Sequence, residues 1–209
     1  MVVRRGLAVC RETLADTGVL LVQDADFPSV TTIVAGAPVR GSWWAHEQAH
    51  SIFDVLQELE PDATLAKLVA KKQTLVHRRL WSELAAVGGE GAGWQLDGLP
   101  ADARAVLDAV VAADTPIGAD TLDTPGTRKR ADVIRDLERR LLLAVAEVHT
   151  ETGRHAKVLQ SWPAWAAASG VPDPLTDPAT ARATFEAAVA TFATARVAKL
   201  LPWPVEVTT

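Results

Sequence analysis

The chain has 209 residues, 48% of them hydrophobic, enough to bury one fair core or two small ones. A net charge of −5 weighs against nucleic acid as a partner unless the charge is unevenly placed, and a single cysteine, Cys10, excludes a disulfide framework and a multi-cysteine metal site. No uninterrupted apolar run reaches the roughly 18 residues of a membrane span, and Arg11 and Glu12 cut short the apolar run behind Arg4 and Arg5; the expectation is therefore a cytoplasmic protein with no membrane partner.

From the N-terminus, Leu7 to Leu21 reads as a helix with Leu7, Cys10, Leu14 and Val19 inward, interrupted by Gly18. Phe27-Pro28-Ser29 opens a short second helix through Val34, with Gly36 as its stop. Ser42 is the expected N-cap of a third helix, because its hydroxyl can accept from a free first-turn amide. Ala45, Ala49, Ile52, Leu56 and Leu59 then mark one apolar stripe ending near Pro61. This register turns Trp43 outward and Trp44 sideways. Thr64 to Val69 and Gln73 to Arg79 form a hairpin with Ala70-Lys71-Lys72 at its tip.

The glycine-rich stretch Gly88 to Gly93 marks a boundary, and the pattern then repeats. A helix opens at Leu99-Pro100 with Ala103, Val106, Leu107, Val110 and Val111 inward, and a short second helix is expected around Ile117 to Leu122. A helix over 127–141 packs Ile134, Leu137 and Leu141 inward and leaves Arg128, Arg135 and Arg139 toward its outer side. Leu142 to His149 and Arg154 to Gln160 form a second hairpin. Beyond Gly170 a proline-rich linker leads to Asp177 and Pro178, which cap an alanine-rich helix reaching about Leu200. Phe185, Val189, Phe192, Arg196 and Lys199 fall on one side of it. Its apolar stripe calls for a neighbouring domain or a second subunit, so a homodimer through this helix is one expectation.

The repeat is visible residue by residue. Val55-Leu56-Gln57-Glu58-Leu59-Glu60 matches Val133-Ile134-Arg135-Asp136-Leu137-Glu138, and each copy closes on a tryptophan followed by small residues, at Trp81 and at Trp162. The expected architecture is mostly α with small antiparallel β-hairpins, an α+β chain of two winged-helix modules, 1–92 and 93–170, followed by a linker and C-terminal helix over 171–209.

Charge follows the same division. Residues 64–81 carry Lys67, Lys71, Lys72, Arg78 and Arg79 and no acid, whereas 82–125 carry eight acids against Arg104 alone. The basic residues that could hold phosphate are Lys71, Lys72, Arg78 and Arg79 on the first hairpin and Arg154, His155 and Lys157 on the second. Thr127-Arg128-Lys129-Arg130 is the sharpest signal, because each cation at a helix N-terminus opposes the macrodipole by about 0.3 kcal/mol or more and a bound anion would relieve the conflict. Arg135 and Arg139 extend the set along the helix. The first copy's helix is a weaker reader, since Glu47, Asp54 and Glu58 line its outer side.

One run points elsewhere. His46-Glu47-Gln48-Ala49-His50 matches the short zinc-protease pattern, two histidines a helical turn apart with a glutamate to activate water. The third ligand is missing and Phe53 stands where the longer pattern needs glycine. Polar helix surface is the preferred reading, with no metal and no cofactor expected.

The order of helix, short helix, Ser42-Trp43-Trp44 helix, basic hairpin and Leu80-Trp81, repeated through Arg139-Arg140-Leu141 and the 147–153 wing, resembles the tandem winged-helix proteins related to AlkZ-type alkylpurine DNA glycosylases over most of residues 1–170. The resemblance implies duplex DNA as partner and a place in DNA repair or damage response. Enzymatic members use a Gln-x-Gln pair, and no two of Gln23, Gln48, Gln57, Gln73, Gln95 and Gln160 are separated by one residue, so no catalytic residue carries over. The expected function is duplex DNA binding without catalysis; the alternatives are a glycosylase-like enzyme, a protein-interaction scaffold and, last, a zinc hydrolase at His46, Glu47 and His50.

Overall fold

The computed structural model describes residues 2–113, 115–149, 155–172 and 176–205. The fold is mostly α, with two small antiparallel three-stranded sheets. The chain divides into two compact units, Met1–Trp81 with Ala183–Leu201 and Val205–Thr209, and Ser82–Arg182 with Pro202–Pro204. This differs from the expected boundary at 92/93 and from a separate C-terminal segment.

In the first unit α1 (Val2–Thr17) buries Gly6, Cys10 and Leu14, one residue per turn. A Cβ on Gly6 would stand 3.2 Å from Val34 Cγ2, so this glycine sets how closely the next helix approaches. The expected continuation to Leu21 does not occur. Gly18 adopts φ 81°, donates to the Leu14 carbonyl and turns Val19–Leu21 into strand β1, all three residues of which are buried. A side chain at Gly18 would also strike Leu80, 2.5 Å away.

Helix α2 (Val30–Ala35) is capped by the Ser29 hydroxyl, which accepts from Thr32 N, and stops at left-handed Gly36 as its sequence suggests. The helix expected from Ser42 is instead a 3-10 turn (Trp43–Ala45), a break at extended His46, and α3 (Ala49–Leu59), which buries Ile52, Val55 and Leu59. Trp43 causes the difference: its indole is turned into the core, 8% exposed, and burying it requires a register the α-helix does not offer. Trp44 is consequently the outer one, 60% exposed and stacked on Trp43 at 4.0 Å.

Strands β2 (Ala63–Ala66) and β3 (Thr74–His77) complete a sheet of order β1-β3-β2, with Val19 opposite Val76 and Thr64 opposite Val76 on the other side. Cys10, Leu14, Leu20, Val30, Val34, Ile52, Val55, Leu59 and Leu75 form the core between this sheet and its helices.

The second unit opens with α4 (Trp81–Gly88), α5 (Gly93–Leu96) and α6 (Ala101–Val111). The chain then forms β4 (Ile117–Gly118), α7 (Arg130–Arg139), β5 (Ala144–His149), β6 (His155–Gln160) and α8 (Trp162–Ala168). Sheet order β4-β6-β5 reproduces that of the first unit. The short helix expected at 117–122 is absent; β4 pairs with β6, and Thr121 closes a turn on the Gly118 carbonyl through both its amide and its hydroxyl. Val106, Val110, Val133, Leu137, Leu143 and Leu159 form the core.

Gln95 is the polar centre of this unit and is fully buried. Its Nε2 lies 3.2 to 3.3 Å from the carbonyls of Val87, Gly88, Arg140 and Leu141, and its Oε1 accepts from Ala92 N. Leu141, expected within a helix, sits just past α7 at φ 51°, and its carbonyl also accepts from Trp162 Nε1 at 2.7 Å. One glutamine thus ties the end of α4 to the exit of α7.

The last elements are α9 (Pro178–Ala193), capped by Asp177, and α10 (Val197–Leu200); the expected single helix breaks at Ala193, φ −147° and ψ 40°. Phe185 and Val189 are completely buried within the single chain and Phe192 meets Phe27 at 5.8 Å. The stripe therefore supplies no reason for a second subunit. No helix among the described residues is long and apolar enough to cross a membrane.

Replacing Gln95 with leucine leaves buried carbonyls without a donor, and the expected loss is about 1 to 3 kcal/mol. Urea denaturation measures it; a midpoint equal to the parent's would show that the glutamine does not organise this unit.

Candidate nucleic-acid interface

Helix α7 starts at Arg130, so Thr127, Arg128 and Lys129 lie ahead of it, with Lys129 at the N-cap position and making no side-chain cap. The three cations expected to await an anion have separate fates. Arg128 bridges two acids, Asp102 Oδ1 at 3.3 Å and Asp136 Oδ2 at 3.5 Å. Arg130 donates to the carbonyls of Asp120 and Leu122, closing the loop that precedes the helix. Lys129 alone of the three makes neither an ion pair nor a side-chain hydrogen bond among the described residues, and it is exposed beside exposed Thr127. The conflict with the helix dipole is relieved from within, since Asp132 stands in the first turn and Asp102 and Asp136 neutralise Arg128.

Along the outer side of α7, Ala131, Arg135 and Arg139 are exposed at four-residue steps. Arg135 pairs with Asp132 at 2.7 Å, but both side chains are about half exposed, and such a pair gives way readily to a competing anion. Arg139 has no ion pair among the described residues.

On the second hairpin Lys157 reaches Glu138 Oε1 at 3.1 Å, a carboxylate only 11% exposed, which ties the sheet to α7 and removes Lys157 from the free cations. His155 pairs in the ladder with His149 through the backbone, and Arg154 lies outside the described residues.

The first hairpin departs further from expectation. Lys72 Nζ lies 2.6 Å from Asp24 Oδ2, whose side chain is 4% exposed, so this lysine anchors the tip to the loop behind β1. Arg79 donates to the Asp16 carbonyl at the end of α1. Lys71 and Arg78 remain exposed with no ion pair among the described residues. His77 adds no charge to them: its partial burial and the neighbouring Arg79 and Arg78 hold its pKa below the usual histidine value, against the weaker opposing pull of Asp62.

The zinc pattern fails on geometry. His46 precedes α3 with extended backbone, and its Nδ1 accepts from Gln48 N at 3.2 Å, so His46 and His50 are not a helical turn apart on one face. No group of three or more His, Cys, Asp or Glu side chains among the described residues is placed to hold a metal ion. Burial pushes the Cys10 thiol up to about 12, which makes it a core residue and no nucleophile. The outer side of α3 presents His50, Asp54, Gln57 and Glu58, a poor surface for phosphate.

No protein-family model matches the chain, and no curated protein or solved structure matches it significantly. What the site can do therefore rests on its own residues. After internal pairing, the free or readily freed cations of the expected set are Lys129, Arg135 and Arg139 in the second unit and Lys71 and Arg78 in the first.

Asp24, invisible in the sequence reading, has a testable signature. Burial alone would raise its pKa, but the Lys72 ammonium and the amides of Asp26 and Phe27 together outweigh that and hold it below the usual aspartate value. A depressed folded-state pKa contributes stability that is fully present above the unfolded-state value, about 4, and is lost as pH falls through the folded value. Asp24→Asn is expected to lower stability at neutral pH and to flatten the loss on acidification, read by denaturant titrations between pH 7 and pH 2. Parallel acid limbs in the two proteins would contradict the assignment.

Proposed function

We propose that the chain binds duplex DNA and performs no chemistry on it, with α7 as the groove-facing helix. Helix, strand, helices and a two-stranded hairpin, with the first strand on the far side of the last, is the order of a winged helix, and both units have this order apart from the helix missing before α7. The reading is supported by one observation above the others: Arg135 and Arg139 project from the same outer side of α7, one turn apart, with Lys129 at the helix start and no apolar side chain covering them. Arginines so placed can fork onto phosphates or onto guanine O6 and N7 in a major groove. The arrangement is smaller than the charge pattern suggested, because Arg128, Arg130, Lys72 and Lys157 hold the fold together.

A second reading, docking of a protein partner, is favoured by Trp44, whose ring is largely exposed and stands 5.7 Å from Phe53 of α3. Salt separates the two. Phosphate binding weakens with a slope of about 0.9 per contact on a double-logarithmic plot, whereas an aromatic contact is nearly insensitive.

Fluorescence anisotropy with plain and alkylated duplexes, from 50 to 200 mM salt, tests the proposal. The Arg135→Ala/Arg139→Ala protein is expected to bind more weakly and to lose about 2 from the slope, with its denaturation midpoint unchanged. Absence of parent binding at the lowest salt, or equal binding by the variant on every duplex, would overturn it.

A further inference from the structure

We propose that the tip of the first hairpin and helix α10 with the residue before it form one cationic surface, Lys71, Arg196 and Lys199, that holds backbone phosphates of duplex DNA. The inference rests on the DNA-binding reading and adds a second contact region to it, in a place where the C-terminal helix was expected to serve a dimer.

The surface is built by two segments far apart in the chain. Helix α10 lies against the 3-10 turn Val69–Lys71 within the first unit. Their apolar residues are turned inward, with Leu68 and Val69 wholly buried and Leu200 and Leu201 nearly so, while Lys71, Arg196 and Lys199 are exposed. No acid occurs between residues 63 and 77 or between 187 and 205. The acid that does reach the tip, Asp24, is already paired with Lys72. Like charges are therefore gathered on adjoining segments with no carboxylate on either one, in a protein that has acids in excess.

The tip is also held in an unfavourable shape. Ala70 and Lys71 are both left-handed, at φ 53° and 57°, each at a cost of about 1 to 2 kcal/mol for a residue with a Cβ. Four bonds impose it: Lys72 N to the Val69 carbonyl, Val69 N to Thr74 Oγ1, Thr74 Oγ1 to the Lys72 carbonyl, and the Lys72–Asp24 pair. Lys71 leaves a fixed backbone, so less order is lost when it meets an anion.

Phosphate on a nucleic acid backbone fits better than a membrane. Insertion into a membrane interface needs apolar side chains beside the cations, and the large exposed apolar residues of the described chain, Val9, Trp44, Leu65 and Val111, include none from the hairpin tip or from 194–201; three cations alone would hold a bilayer only weakly.

The test compares three proteins: the parent, Lys71→Ala/Arg196→Ala/Lys199→Ala, and Arg135→Ala/Arg139→Ala. Each is titrated into one duplex across the same salt series and into vesicles of phosphatidylglycerol in phosphatidylcholine. The triple variant is expected to lose about 2 to 3 from the salt slope on the duplex, with its denaturation midpoint unchanged. If the parent binds and the α7 variant is weakened while the triple variant matches the parent, this inference alone is overturned. If vesicle binding falls and the duplex isotherm does not, the surface belongs to a membrane and the inference is again wrong. A parent that does not bind duplex overturns both readings.

Discussion

Lysine and arginine side chains in this protein act first as internal ties, and the pair between Asp24 and Lys72 shows why. A carboxylate 4% exposed is tolerable only when charge and hydrogen bonds replace lost water, and Lys72 with the amides of Asp26 and Phe27 supplies both. The Asp24 carbonyl in turn accepts from the hydroxyls of Ser29 and Thr32, which begin α2. One buried acid therefore positions the hairpin tip, the loop behind β1 and the start of a helix. Arg128 with Asp102 and Asp136, and Lys157 with Glu138, do the same in the second unit. These acids are paired with cations whose clustering looks, in one dimension, like a surface for phosphate.

The two units share a ladder but have different outer faces. In each, the last strand lies centrally, flanked by the first strand and the hairpin partner, and a helix precedes the hairpin. On α3 the outward positions are acidic or neutral; on α7 they include Arg135 and Arg139. Helix α10, which carries Lys199 and follows directly on Arg196, lies against the tip of the first hairpin.

Local chemistry was legible in the sequence. Gly36 stops α2 because a left-handed residue there closes the helix end, and the strands of both hairpins fall close to their expected spans because alternation and turn residues act over a few positions. What was not legible depends on distant partners. Lys72 and Asp24 are 48 residues apart, Arg128 and Asp102 are 26 apart, and Lys157 and Glu138 are 19 apart, so no window along the chain joins them. Trp43 misled for the same reason: its burial sets the 3-10 turn, and a helical wheel drawn from Ser42 has no knowledge of the core that receives it. Gln95 is a lone glutamine with no pattern around it, yet five backbone groups converge on its amide. Gly18 carries a local signal, since a glycine before three apolar residues marks a helix end followed by a strand.

The central proposal is that, in each unit by itself, the cations left over after internal pairing are the ones that meet DNA. Hydrogen–deuterium exchange of the whole chain with and without a saturating duplex tests it most directly. The account predicts slowed exchange in 129–139 and in the two segments 69–72 and 196–200, with α3 unchanged. Slowing confined to 43–58, or none anywhere under conditions where the duplex is bound, would contradict it.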